Sequence, residues 1–283
     1  MKRLLYTSTF LFLAFLLLLD TGGCADKRQN SIFTIEQKQK LTIGSTGANL
    51  PILKKLADSY MEKNRKAIIE IPVSLSNDQA VRNVEEGNLD IGLTSLPLEN
   101  NKIRYLHQKL FARTIVVIAV NPSVPISGLT KRQVTGIYSG ELKNWYEVGG
   151  TESKIIVLSN MHGESTMMAI DKYIKGLMDI KGSAHTIMLK DSQVMNEAIT
   201  SIQDSIGFSD IGAIKAGDLK IKPLAIQGIT PTVESFESGN YRMAKNLYLI
   251  TPYNPSELAK DFVDYVLGWE GKKVILDNGY LAP

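Results

Sequence analysis

TIVVIAVNPSVPISGLTKRQVTGIYSGELKNWYEVGG, residues 114–150, holds a strand, a turn and a helix in quick succession. Thr114 to Val120 is a short run of β-branched and aliphatic residues, the pattern of a strand buried on both faces, and Asn121-Pro122 ends it. Thr130 to Tyr138 then carries helical spacing and stops at Ser139-Gly140. A doubly buried strand needs layers on both sides, so this stretch predicts an α/β body whose helices pack on a sheet.

The same alternation extends outward in both directions. Upstream, Leu41 to Gly44 reads as a strand and Pro51 to Met61 as a helix with Ile52, Leu53, Leu56 and Tyr60 on one face. Ile68 to Val73, with Ile69, Ile71 and Val73 on one side, is a second strand, followed by a loop at Ser74 to Asn77 and a helix from Gln79 to Glu86. Leu89 to Leu93 gives a third strand. A second body starts near residue 118.

Downstream, Ile155 to Leu158 is a strand feeding a polar loop and a helix with Met167, Ile170, Ile174 and Leu177 inward. Ser192 to Ile202 is a further helix and Ile206 to Phe208 a short strand. Asn246 to Thr251 (NLYLIT) is a strand returning to the first body. Leu258, Phe262, Tyr265, Val266 and Trp269 form the apolar stripe of a C-terminal helix. The chain thus crosses twice between bodies, which predicts a hinge.

Lys2 and Arg3 followed by the apolar run Phe10 to Leu19 and by Thr21-Gly22-Gly23-Cys24 read as a secretory signal. The run is about half of the roughly 20 apolar residues a spanning helix needs. Cys24 is the one cysteine in the chain, which excludes an intrachain disulfide. Small residues before it resemble a bacterial lipobox, making Cys24 the expected lipidation site, residues 1–24 the signal and 25–38 a tether. With 32 basic and 29 acidic residues the net charge is +3, and nothing in that balance points to nucleic acid.

Three places deliver a strand into a small polar loop at a helix start: Ser45-Thr46-Gly47-Ala48, Ser76-Asn77 and Gly163-Glu164-Ser165-Thr166. Free N–H groups at a helix start favour an oxyanion, and hydroxyls add donors. The same residue types also serve as helix caps. The three histidines, at 107, 162 and 185, have no metal-ligand spacing, and Gly163 to Met167 lacks the second glycine of a nucleophile elbow. A hydrolase is therefore disfavoured, and no metal or cofactor is expected.

Residues 121–150, with Gly44-Ser45-Thr46, Asp90-Ile91-Gly92, Ser205 to Phe208 and the ending Trp269 to Pro283, resemble the phosphate-binding proteins of bacterial ABC transporters, within the periplasmic solute-binding proteins. The resemblance spans roughly residues 40–283. It implies a two-domain type II clamshell with two crossover hinge segments, residues 39–117 plus 247–283 forming one domain and 118–246 the other. It implies ligand contacts at Ser45, Thr46, Gly47, Ser76, Asn77, Thr94, Ser95, Asn160, Gly163, Glu164, Ser165 and Thr166. It also implies an ABC permease partner, a membrane-anchored extracytoplasmic location and a monomer. Asn160 stands where the family usually has an arginine, Leu96 replaces another arginine found in many members, and Glu164 stands in place of a serine. The ligand is therefore phosphate, a related oxyanion or another small polar solute, and a ligand sensor without transport is the second role left open.

Overall fold

The computed structural model describes residues 38–72, 74–100, 105–160, 165–180 and 186–283. Cys24, the signal and nearly all of the tether lie outside them, as do Val73, His162, Gly163, Glu164 and His185.

The first layer of the fold follows the predicted alternation. β1 (Gln39–Ser45) leads into α1 (Leu50–Lys63), β2 (Ala67–Glu70) into α2 (Asn77–Glu85), and β3 (Ile91–Thr94) follows. Pro51 sits in the first turn of α1, where its missing N–H costs nothing. Ser76 and Gln79 form a capping box on α2. β2 is shorter than its sequence pattern: it stops at Glu70, ahead of Pro72, which has no N–H for the ladder.

β4 (Leu106–Val120) is fifteen residues long, about twice the expected strand. Its second half is the predicted buried run, with Ile115 to Val120 completely buried. Its first half, LHQKLFAR, carries polar residues that meet solvent, with His107, Lys109 and Arg113 exposed and Leu106, Phe111 and Ala112 buried. Next come β5 (Gly128–Leu129), α3 (Lys131–Ser139) and β6 (Ile156–Asn160). α3 has a capping box from Thr130 and Gln133 and ends on Gly140 at φ 79°. Between α3 and β6, Asn144 caps a 3-10 turn that buries Trp145, whose indole donates to the Asp204 carbonyl at 3.0 Å.

α4 (Ser165–Tyr173), β7 (Ile187–Leu189), α5 (Ser192–Ser201), β8 (Ser205–Asp210) and α6 (Ile211–Ala216) continue the same body. β9 (Lys222–Pro223), β10 (Ala225–Ile226) and α7 (Val233–Glu237) precede the long return strand β11 (Ala244–Pro252). α8 (Glu257–Leu267) and α9 (Trp269–Asp277) finish the chain. The expected single stripe through Trp269 is corrected here: Gly268 is extended (φ −75°, ψ 178°), breaks the helix, and leaves Trp269 76 % exposed.

Among the described residues the strands form a nine-stranded mixed sheet in the order β2-β1-β3-β11-β4-β8-β6-β7, with β9 against β4, and β5 and β10 pair separately. β1, β2 and β3 run parallel, as do β6, β7 and β8, while β4 and β11 pair antiparallel to each other and to their neighbours. Two hydrophobic cores flank the central pair. One gathers Leu41, Ile52, Phe111, Leu247 and Phe262; the other gathers Ile115 to Val120, Trp145, Ile170, Phe208 and Met243. β4 leaves the first core after Ala112 and enters the second at Ile115, and β11 makes the reverse passage between Met243 and Leu247.

Phe262 is fully buried beside Tyr60 and Tyr265, with ring centroids 5.3 Å from Tyr60. Phe262→Ala is expected to cost about 3–5 kcal/mol, and Trp269→Ala to stay within about 0.5 kcal/mol, both read from urea unfolding midpoints.

Candidate functional site

β1 and β3 run toward the second core and β6, in the opposite direction, runs toward the first, so their carboxyl ends face one another across the crossing, where the amino end of β11 also lies. In open α/β sheets ligands bind outside the carboxyl ends of the strands. Lys245 pairs with Thr114 across the ladder, and Asp210 with Val116 on the next strand pair, so both lie at the chain's two crossings.

The first loop holds Ser45 and Thr46, both buried. Ser45 Oγ donates to the Thr46 carbonyl at 3.0 Å, whereas Thr46 Oγ1 is buried with no partner among the described residues. Gly47 lies where an added Cβ would be 3.1 Å from both the Gln193 N and Ser74 Oγ, so the loop from β1 is pressed directly against the start of α5. Asn49 precedes α1 without a side-chain cap bond to it and is completely buried; its Oδ1 accepts from Ser95 Oγ at 3.1 Å, and its Nδ2 has no partner among the described residues.

The remaining loops are tied to this one. Asn77 Oδ1 accepts from the Ser95 N–H at 2.8 Å, and Thr94 Oγ1 donates to the Leu96 carbonyl at 3.0 Å. Ser76 is exposed, and its hydroxyl accepts from the Gln79 N–H as a helix cap, the commoner use of such a residue. Ser74, two residues earlier, has a buried Oγ without a partner among the described residues. Opposite, Asn160 ends β6 with its Oδ1 buried and unpaired among the described residues. Ser165 and Thr166 open α4 and are both buried.

Lys245 is 6 % exposed. Its Nζ lies 3.0 Å from Asp210 Oδ2 and donates to Thr166 Oγ1 at 2.9 Å. Asp210 Oδ1 in turn accepts from Thr114 Oγ1 and from the Ala213 N–H, each at 2.8 Å, while Thr114 Oγ1 accepts from the Gly212 N–H at 3.2 Å. Tyr280 packs its ring on Gly212; burial, then the negative charge of Asp210, raises its phenol well above the ordinary range, so it stays protonated. A cavity of about 290 Å³ between the two sides is lined by Ser95, Leu96, Ser165, Lys172, Lys245 and Tyr248. That is room for a small solute.

The expected residues Ser45, Thr46, Gly47, Asn77, Thr94, Ser95, Asn160, Ser165 and Thr166 thus lie at strand ends, helix starts and the turns beside them, with Ser76 turned to its helix. Asn49, Ser74 and Lys245 were not among the expected residues. Asn49 sits one residue beyond the predicted loop, directly before Leu50-Pro51, where it reads as a cap. Lys245 begins a strand, where a lysine ordinarily reads as solvent-facing.

Two cores joined by two crossing strands, with buried donors converging between them, define a solute-binding protein. The family model described as a PBP superfamily domain matches residues 34–270, and the chain belongs to that family. The phosphate-binding protein PstS of Bacillus subtilis is 25 % identical over 268 residues, covering 92 % of this chain and 87 % of that one. PstS of Borreliella burgdorferi is 21 % identical over 256 residues, covering 87 % and 91 %. Among solved structures, a phosphate ABC transporter substrate-binding protein from Clostridium perfringens, with bound phosphate, superposes with a TM-score of 0.75 at 19 % identity, covering 87 % of this chain and all of that one.

Thr114→Val removes one donor to Asp210 and leaves the buried Gly212 N–H unpaired. It is expected to lower unfolding stability by about 1–3 kcal/mol, measured by urea titration.

Proposed function

We propose that this protein captures phosphate or a closely related oxyanion outside the cytoplasm and presents it to an ABC permease. The observation that carries the reading is the set of buried polar atoms at the ligand edge, Thr46 Oγ1, Asn49 Nδ2, Ser74 Oγ and Asn160 Oδ1, which have no partner among the described residues. Buried polar groups ordinarily find partners, and these four, on the segments that follow β1 and β2 and at the end of β6, call for a polar ligand. Relatives that bind phosphate support the choice of solute.

The residues proposed to meet the ligand are Ser45, Thr46, Gly47 and Asn49 at and after the end of β1, Ser74, Ser76 and Asn77 after β2, Thr94 and Ser95 at the end of β3, and Asn160, Gly163, Glu164, Ser165 and Thr166 in the segment from the end of β6 into α4. The two domains are residues 39–117 with 247–283, and 118–246. Binding proceeds without chemistry: a solute touching both domains favours the closed form by its differential affinity, and the permease reads closure. An unpaired acceptor such as Asn160 Oδ1 suits an oxyanion that still carries a proton. Cys24 becomes the lipid-bearing first residue once the signal segment before it is cleaved, and 25–38 is the tether.

The test is isothermal titration of orthophosphate into protein stripped of ligand by partial unfolding and refolding. A dissociation constant of micromolar or below is expected, weakened about three- to thirtyfold in Asn49→Ala by loss of one buried donor. Absence of heat, together with no thermal shift, removes phosphate as the solute. For the anchor, labelled palmitate is expected in the wild-type protein expressed in a bacterial host and absent from Cys24→Ser.

A further inference from the structure

The second domain lacks the guanidinium that the family resemblance places at Asn160, yet the cleft contains a buried cation from another element. Lys245 enters from β11, at the second crossing between the cores. An ammonium buried to this degree needs both a counter-charge and hydrogen bonds. It has Asp210 and Thr166, which account for two of its three N–H donors.

The pair is not balanced between its members. Asp210 is already held by the Thr114 hydroxyl and the Ala213 N–H, donors that stabilise a carboxylate independently of Lys245. Lys245 instead lines the cavity together with Ser95 and Ser165, and its partner Thr166 follows the loop expected to grip the ligand. The other cation on that cavity, Lys172, is exposed at its rim. A buried ion pair adds little net stability over apolar residues of the same volume, so fold stability alone gives no reason for this one.

We infer that Lys245 is the anion-binding cation of this site, donating from Nζ to the captured oxyanion, with Asp210 and Thr166 positioning its ammonium group. The inference rests on the oxyanion reading above and deepens it. The cation comes from the crossing strand, so the ligand's charge is met at the point where both connections between the cores run side by side. Lys245 then supplies what Asn160 lacks, and phosphate or sulfate is selected over neutral polar solutes.

The experiment titrates orthophosphate and sulfate into the stripped wild-type protein, Lys245→Met and the double variant Lys245→Met/Asp210→Asn, with melting temperatures recorded for each. The single variant buries an unpaired carboxylate and is expected to melt lower; the double variant removes both charges and is expected to melt near the wild type. In the folded double variant the phosphate dissociation constant is expected to rise about ten- to hundredfold, the loss of a charge-assisted contact. A double variant that is folded and binds phosphate as tightly as the wild type overturns the assignment and makes the pair purely structural. A wild-type protein that takes up neither anion overturns the oxyanion reading and the role of Lys245 with it, and is distinguished by failing before any variant is compared.

Discussion

The antiparallel pairing of β4 with β11 is the constraint on which the remainder of the structure depends. The two strands lie side by side from Leu106–Pro252 to Ile115–Ala244, and each passes from one hydrophobic core to the other within a few residues. Because both connections are strands of one sheet, the two cores are held in register at the crossing while their outer elements share few backbone bonds. The bulge between Leu247 and Tyr248 lies in the same ladder and adds local twist there.

That crossing also sets the chemistry. Thr114 on β4 and Lys245 on β11 are ladder partners, and β8 brings Asp210 alongside, so a polar network of Thr114, Asp210, Lys245 and Thr166 is buried where the backbone changes cores. Around it, the carboxyl ends of β1, β3 and β6 present short loops whose hydroxyls and amides face inward. Part of their hydrogen-bonding capacity is spent tying loops together, as in Ser95 to Asn49 and Asn77 to Ser95. Such ties fix donors in place before a ligand arrives and reduce the entropy lost on binding.

Much of the fold was legible from the sequence because periodicity and punctuation agreed. The run Thr114 to Val120 and the helix stop at Ser139-Gly140 appear as read, and Met167 and Ile170 face inward from α4, whereas Ile174 and Leu177 are buried beyond the end of that helix at Tyr173. The first half of β4 was hidden by its polar run His107-Gln108-Lys109, and the C-terminal stripe was overextended because Gly268 takes an extended conformation that spacing alone does not reveal. Loop positions of the site were visible through small polar residues at helix starts. Lys245 and Asn49 were not, because a lysine in a strand and an asparagine before a helix have common surface and capping uses, and only burial separates those from a ligand role.

The most direct measurement is a crystal structure of the protein grown in orthophosphate. A tetrahedral anion is predicted between the two cores, within hydrogen-bond distance of Thr46, Asn49 and Thr166, with Lys245 Nζ as its cationic neighbour. An anion held by one core alone, or one seated away from Lys245 while that lysine still closes on Asp210 and Thr166, contradicts capture at the crossing.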